Sequence, residues 1–574
     1  MFGNYLKTTV RNIRRHKAYS FINIAGLAVA LVCSFLILLY VQEELSYERG
    51  FSKVDHIYRI TSISKSGDTY RHWAPGPPPL GPMIQEQIPE IEQAARFRSI
   101  KPVVLSYTPD RGTVRRFRED GGFFADPAAI NLFDLKFIKG DPGTALNEVN
   151  SLILTARLAE KYFGTDDPIG KSLVKENSNR PYRVTGVIEN MPSNTHLQFD
   201  YLTSMSTWYQ IMNNHPLLNS RTWKALYIYV LLDAQNEKEL VESKLADFIQ
   251  RSFQSRFEQT FHLQPIKDIH LHSKLEKEIG PTSDIAYIYI FSFTAVLILV
   301  IAGVNFVNLT TAQALKRMKE VGIRKVLGAQ KRQLVKQFLG ESLILTLFAG
   351  VVALLLYDIL LPFYNSISGK SFTFSQFTSI DNLLLLFFIV IGTGLTAGLY
   401  PAFFISTLQP VNTLKGLKSP QSSVTPVRKG LVIFQFAISI FMIFSTITVY
   451  RQLVFFREKD LGFDKEKLIA VQLYGENTVS DMETIKSALL NRSAISHLSL
   501  VSDLPGERFS AEHLIPEGGS NVEDVPLVRI IHVDEDFLET LGIELKEGQD
   551  FQKRSSEQGQ FLLSETAVQT LGLK

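Results

Sequence analysis

The chain has 574 residues, enough for several domains, with 45% hydrophobic residues and a formal charge of only +3. So small a charge, with no Lys/Arg cluster away from the apolar runs, argues against nucleic acid as a partner. The single cysteine, Cys33, lies inside an apolar run, which rules out an intramolecular disulfide and a thiol-based metal site.

Five apolar segments reach the roughly 20 residues that a bilayer crossing needs: 19–41, 285–309, 338–361, 382–405 and 431–450. The first is too long for a signal-peptide core, and no small-residue cleavage site precedes Gln42-Glu43-Glu44, so a retained anchor is expected. Lys7, Arg11, Arg14, Arg15 and Lys17 precede span one, and Lys415, Lys418, Arg428 and Lys429 separate spans four and five. Between spans two and three, residues 314–342 carry eight basic residues: Lys316, Arg317, Lys319, Arg324, Lys325, Lys331, Arg332 and Lys336. The positive-inside bias places all three segments (1–18, 310–337 and 406–430) in the cytoplasm. Residues 42–284, the short loop 362–381 and residues 451–574 are then expected outside. The expected fold class is an α-helical transmembrane bundle with an extracytoplasmic α+β domain.

Within 42–284, Tyr58–Ser64 alternates as a strand does, and the Pro-rich stretch from Ala74 to Pro82 leads into a helix around Met83. Residues 103–107 and 114–118 flank a Pro-Asp-Arg-Gly turn and predict a hairpin. A strand at 151–154 precedes a helix over Ala156–Phe163 that stops at Gly164; further strands are predicted at 183–188 and 225–232. Residues 237–253 carry the 3.6-residue period of an amphipathic helix.

The chain also repeats itself. Residues 133–140 match 541–548, and Ala159-Glu-Lys-Tyr-Phe-Gly164 matches Ala567-Val-Gln-Thr-Leu-Gly572 with no gap between the two blocks. Tyr40-Val-Gln42 and Gly50-Phe51 likewise match Tyr450-Arg-Gln452 and Gly462-Phe463. A shared offset of roughly 410 residues is what a parallel duplication leaves. The expectation is a second unit cut short, with its outer domain incomplete and three closing spans absent.

Candidate chemistry is sparse. Gly164-Thr-Asp-Asp-Pro-Ile-Gly-Lys-Ser172 imitates a phosphate loop, but it has five residues between the glycines, one a proline, and a helix in front. A turn is the better reading, and no cofactor is expected to bind this chain directly. His270 and His272 fall on one face of a possible strand; a surface pair is preferred to a metal site. In the spans, Asn23, Asn305, Asn308 and Glu341 are read as interhelical hydrogen-bonding groups, and Gly394 and Gly398 as a helix-packing GxxxG. The basic stretch interleaves Val321, Val326, Leu327, Leu334 and Val335 at mostly helical intervals, with a Glu320–Arg324 i,i+4 pair and a break at Gly328. Two short amphipathic helices fit, which need lipid or a partner protein to lie on.

Lys319-Glu-Val-Gly-Ile-Arg-Lys-Val-Leu-Gly-Ala329, followed by Gln337-Phe-Leu-Gly-Glu-Ser342, closely resembles the signature of FtsX-like permeases of ABC transporters. The outer domain resembles the MacB-like periplasmic core at Phe163-Gly164, Pro168-Ile-Gly170 and Asp268-Ile-His-Leu271. The duplicated form is similar to the long two-unit permeases of Bacteroidetes-type bacteria. The resemblance implies a bacterial inner-membrane permease driven by a separate cytoplasmic ABC ATPase dimer, which uses the ATP and Mg²⁺. Lys319, Glu320, Val321, Gly322, Ile323, Arg324, Lys325, Val326, Leu327, Gly328 and Ala329 would form the ATPase contact. Glu341 matches the acidic residue opening the next span. A periplasmic adaptor or an outer-membrane channel are further candidate partners. The implied work is export or extraction of a lipoprotein, peptide or drug-like substrate. The alternative is a non-transport mechanotransmitter that regulates an envelope enzyme such as a cell-wall hydrolase.

Overall fold

The computed structural model describes the chain except residues 1–10, 12–16, 67–68, 111, 177–179, 234–237, 254–258, 317, 408–420, 464–466, 474–481, 506–509, 515–526, 552–558 and 574. It forms two compact units, Met1–Leu45 with Ile285–Lys459, and Ser46–Asp284 with Asp460–Lys574.

In the first unit, five helices are long and apolar enough to cross a membrane. They are span one (Lys17–Leu45), span two (Ile285–Lys316), span three (Lys331–Ser368), span four (Ile380–Thr407) and span five (Gln421–Glu458). Each outruns its apolar segment because the flanking polar residues continue the same intrahelical ladder. Leu27, Leu31 and Phe35 of span one share a core with Phe306 of span two, Ala349, Ala353 and Tyr357 of span three, and Val390 of span four. At the far end of span one, buried Glu44 pairs with Lys370 at 2.7 Å, tying it to the short connection after span three.

In the second unit, Ser46–Asp284 builds a mixed sheet of thirteen strands among the described residues. In chain order these are β1 (Ile57–Ser66), β2 (Thr69–Trp73), β3 (Ile91–Ser99), β4 (Val103–Tyr107), β5 (Arg115–Glu119), β6 (Gly122–Ala125) and β7 (Phe137–Gly140). They continue with β8 (Ser151–Thr155), β9 (Ser172–Lys175), β10 (Arg180–Ile188), β11 (Tyr201–Ser204), β12 (Tyr227–Leu232) and β13 (Gln259–Pro265). The order is β13-β1-β12-β3-β6-β11-β8-β10-β9-β4-β5, with β2 on β1 and β7 on β10. The pairs β8/β10 and β6/β11 are parallel, and β4/β5 is the expected antiparallel hairpin.

β12 shows why its sequence is an unbroken apolar run. Ile228, Val230 and Leu232 join one core, while Tyr229 and Leu231 join the core on the opposite face. A strand buried on both faces has no polar side to alternate with. Val241, Leu245, Phe248 and Ile249 from the helix Lys238–Ser252 cover the first face. Residues 46–48, which follow span one, are held by Glu48. Its buried carboxylate accepts from the Thr195 hydroxyl at 2.7 Å and the His196 backbone N–H at 2.6 Å. It also meets His196 Nδ1 at 2.8 Å, and His196 Nε2 lies 2.6 Å from the Tyr229 hydroxyl.

Residues 269–272 correct a sequence expectation. They are a short helix rather than a strand, because the chain turns after Pro265 and buries Ile266 and Ile269. His270 is buried and stacks on Tyr47 at 3.4 Å, while His272 is exposed, so the two do not share a face. Residues 164–171 form a turn after the helix Ala156–Phe163, closed by Gly170 N–H to Val184 O and with Lys171 paired to Asp166 at 3.2 Å.

The region Asp460–Lys574 is sparser. Its described residues form a two-stranded ladder, β14 (Ser510–His513) with β15 (Leu527–Ile530), and short helices at Met482–Leu490, Phe537–Leu541 and Glu565–Thr570. The backbone supports the repeat. Asp134, Gly140 and Gly164 have φ of 49°, 90° and 63°; Gly542, Gly548 and Gly572, at the matching positions, have 68°, 96° and 67°.

Candidate functional site

The basic stretch folds into one short helix, Met318–Val326, a tight turn, and the first turns of span three. The expected second short helix is not a separate element. From Lys331 the helix runs unbroken into the span, since no residue between Lys331 and Phe338 interrupts its hydrogen-bond ladder. The break itself falls at Gly328, with φ +92°, a conformation that costs an L-residue roughly 1–2 kcal/mol and glycine almost nothing. Leu327, Gly328 and Ala329 donate their N–H groups to Ile323, Lys325 and Arg324, so the end carbonyls of the helix are satisfied. Gln330 and Gln333 then cap the next helix reciprocally.

The helix is anchored from one side. Val321 is buried with Leu334 and Phe338 of span three and Ala402 of span four. Ile323, Val326 and Leu327 face the other way and are 51%, 65% and 81% exposed. Lys331, Arg332 and Lys336 are exposed beside them. Burial, with the nearby charge of Lys331, lowers the pKa of the Lys325 ammonium.

Lys319, Glu320 and Gly322 belong to this helix by backbone, but their side chains lie outside the described residues, and the expected Glu320–Arg324 pair with them. Arg324 instead reaches into span three, donating from Nη1 to Gln337 Oε1 at 3.0 Å. Gln337 in turn donates from Nε2 to buried Glu341 at 3.1 Å. This relay links the short helix to the interior of the span. Sequence reading missed Gln337 as its middle member, although the i,i+4 spacing of Gln337 and Glu341 was the available signal.

The other intramembrane positions are dispersed. A Cβ on Gly394 would overlap Thr346 Oγ1, and one on Gly398 would lie 2.8 Å from Ser342 Cβ, so spans three and four approach closely along this face. Asn305 lines a cleft with Asn23. The interhelical hydrogen bonds expected of Asn23 and Asn308 do not form throughout: both polar atoms of Asn23 and the Oδ1 of Asn308 are buried without a partner. No cluster of metal-ligating side chains occurs among the described residues.

These features define a multi-span membrane protein with a large α+β domain inserted after its first span and a basic, half-apolar element between its second and third. Residues 292–410 match the family model of the FtsX-like permease C-terminal region, and residues 20–248 that of the MacB-like periplasmic core domain. The chain is an FtsX/MacB-like permease of the ABC transporter family.

It is similar to the macrolide export ATP-binding/permease protein MacB of Bdellovibrio bacteriovorus, 27% identical over 141 residues that cover 25% of this chain and 21% of that one. With the protein of that name from Vibrio parahaemolyticus it shares 23% over 324 residues, 54% of this chain and 46% of the other. The chain thus spans less than half the length of these curated relatives. A solved structure of the periplasmic region of MacB from Actinobacillus actinomycetemcomitans aligns with a TM-score of 0.28 at 15% identity, covering 38% of this chain and 92% of that one.

Proposed function

We propose that this chain is the membrane-spanning subunit through which a separate cytoplasmic ABC ATPase moves an extracytoplasmic domain. One observation carries the reading: Ile323, Val326 and Leu327 stand exposed at the end of a helix that Val321 anchors to spans three and four. Apolar side chains held in water on an anchored element gain about 1.5–3 kcal/mol each when a partner covers them. The exposed Lys331, Arg332 and Lys336 beside them suit an acidic rim on that partner. The relay from Arg324 through Gln337 to Glu341 supports passage of the motion into span three.

In this reading the three basic segments are cytoplasmic, the protein lies in the bacterial inner membrane, and residues 42–284 are periplasmic. ATP and Mg²⁺ belong to the partner. Permeases of this family work with a cytoplasmic ABC ATPase, and the work proposed here is export or extraction of a lipoprotein, peptide or drug-like molecule. The test is co-purification of the ATPase with the tagged permease. Leu327→Asp and Gly322→Pro are expected to weaken capture tenfold or more, about 1.4 kcal/mol, while membrane insertion persists. Arg324→Glu, which removes the donor to Gln337, is expected to lose capture as well. Undiminished capture by all three variants overturns the assignment.

A further inference from the structure

Arg96 and Arg98 stand two residues apart in β3, and so on one face of the sheet. Arg96 is matched by an acid. Its Nε and Nη2 donate to the two oxygens of Asp126 at 2.7 and 2.9 Å, and its Nη1 donates to Pro78 O and the Tyr209 hydroxyl. Buried Arg59 is likewise matched by Glu278, which accepts from it at 2.6 and 2.8 Å. Arg98 has no carboxylate partner among the described residues. Its Nη1 donates to Ala225 O at 3.2 Å, and its Cζ lies 4.9 Å from the Trp208 ring and 5.1 Å from the Trp223 ring.

The difference shows in the electrostatics. Burial opposes the charge of all three arginines. For Arg59 and Arg96, hydrogen bonds to Glu278 and Asp126 outweigh it and raise the pKa, whereas for Arg98 burial prevails and lowers it. An indole face attracts a cation but carries no net charge, so folding leaves the Arg98 guanidinium uncompensated.

The guanidinium is also reachable. Arg98 is half-buried, and none of its nitrogens is sealed from solvent without a partner. The N–H groups not used on Ala225 therefore remain available as a planar fork, the shape that grips a carboxylate or phosphate through two parallel bonds. Trp208, in the helix Met205–Met212, is 3% exposed and backs the guanidinium. Trp223, just before β12, is only half-buried, as is Ile100, two residues beyond Arg98. Open apolar surface thus adjoins the charge.

We propose that Arg98, with Trp208 and Trp223, forms a binding site for an oxyanion, a carboxylate or a phosphate, carried on an apolar body. The fork of Arg98 takes the oxyanion, and the apolar body lies against Trp223 and Ile100. The site is confined to the outer domain and stands or falls independently of the ATPase contact.

The test is tryptophan emission of the purified full chain titrated with hexanoate, hexyl phosphate or neutral hexanamide, since two of the three tryptophans touch Arg98. A saturable change is expected with at least one anion, at a concentration at least about tenfold below any response to hexanamide. Tighter binding of hexanoate assigns a carboxylate and tighter binding of hexyl phosphate a phosphate; either supports the site. Arg98→Gln should weaken the anion about tenfold or more, and Arg98→Lys should recover part of the loss, because an ammonium restores the charge without the fork. Trp73→Phe should keep the response. No saturable change with either anion overturns the proposal, as does equal binding of hexanamide, a comparison made on the wild type that holds even if Arg98→Gln folds poorly. Undiminished binding by Arg98→Gln, or a response lost in Trp73→Phe, overturns it too.

Discussion

The two outer regions, Ser46–Asp284 and Asp460–Lys574, share a local code and differ in what it builds. Both place left-handed residues at matching positions, and both start the matching helix with the same cap. Thr155 Oγ1 accepts from Leu158 N–H in the first, and Ser564 Oγ from Ala567 N–H in the second. The second helix is one residue shorter between its cap and its closing glycine, so the ungapped match of the sequences holds at that glycine but not at the cap. The first region has many fully buried side chains, whereas in the second only Leu538 and Leu541 are buried among the described residues. Capping and turn geometry are set within a few residues; burial requires a sheet whose strands come from distant parts of the chain.

The spans make the same contrast. In span one 56% of the most apolar window is buried, and in its repeat partner, span five, none is. Leu27, Leu31 and Phe35 meet spans two, three and four, while Phe434, Phe441 and Phe444 are exposed.

The largest predicted difference tests whether the first region is packed and the second is not. A Cβ on Gly140 would overlap Thr185 O and lie 2.8 Å from Gly186 Cα; at Gly548 nothing lies within 4 Å. Gly140→Ala should cost at least about 3 kcal/mol and Gly548→Ala only the 1–2 kcal/mol of its positive φ. All three tryptophans, Trp73, Trp208 and Trp223, lie in the first region, so their emission during urea unfolding reports the Gly140 variant. Hydrogen exchange over Phe537–Leu541 reports the other. Equal losses would break the comparison.

A smaller effect sharpens it through desolvation. Burial pushes the Lys224 ammonium of the first region down to about 8. In the second region burial opposes the Lys486 charge too, but hydrogen bonds to Asp534 and Asp536 outweigh it and hold its pKa up. Between about pH 8 and 10.4 the unfolded chain keeps the Lys224 proton and the folded domain has lost it, so the first region should gain stability as pH rises. The gain should be about 1–3 kcal/mol, complete near pH 10.5 and absent below pH 7. Lys224→Met should remove that slope in urea titrations by tryptophan emission, and a slope that persists would show the ammonium is not desolvated there.

The smallest prediction is an equality. Thr155→Ala and Ser564→Ala should each destabilise their own helix by about 1 kcal/mol, seen as faster amide exchange over Ala156–Phe163 and Glu565–Thr570. A cap is a local bond, and its worth should not depend on how well the surrounding region is packed.

Much of the architecture was legible because its signals are short-range. The five spans follow from apolar length, β4/β5 from a turn tetrapeptide, the helix at 156 from its period and closing glycine, and the break at 328 from a glycine. β6, β9 and β11 were not legible, being four-residue strands that exist only because neighbours on both sides pair with them. Of the candidate site, the backbone of residues 319–329 and the break could be read directly. Which side chains face outward could not, because Val321, Ile323 and Val326 are equally apolar in sequence.

By itself, then, the sequence determined the long apolar helices and the basic element between the second and third, since length and charge act over a few residues or by composition. Only the tertiary structure decided that Val321 is the anchor while Ile323, Val326 and Leu327 are presented, and that Arg324 reaches Glu341 through Gln337. Those outcomes depend on which helices touch, and a helix's neighbours are chosen by the whole fold rather than by its own residues.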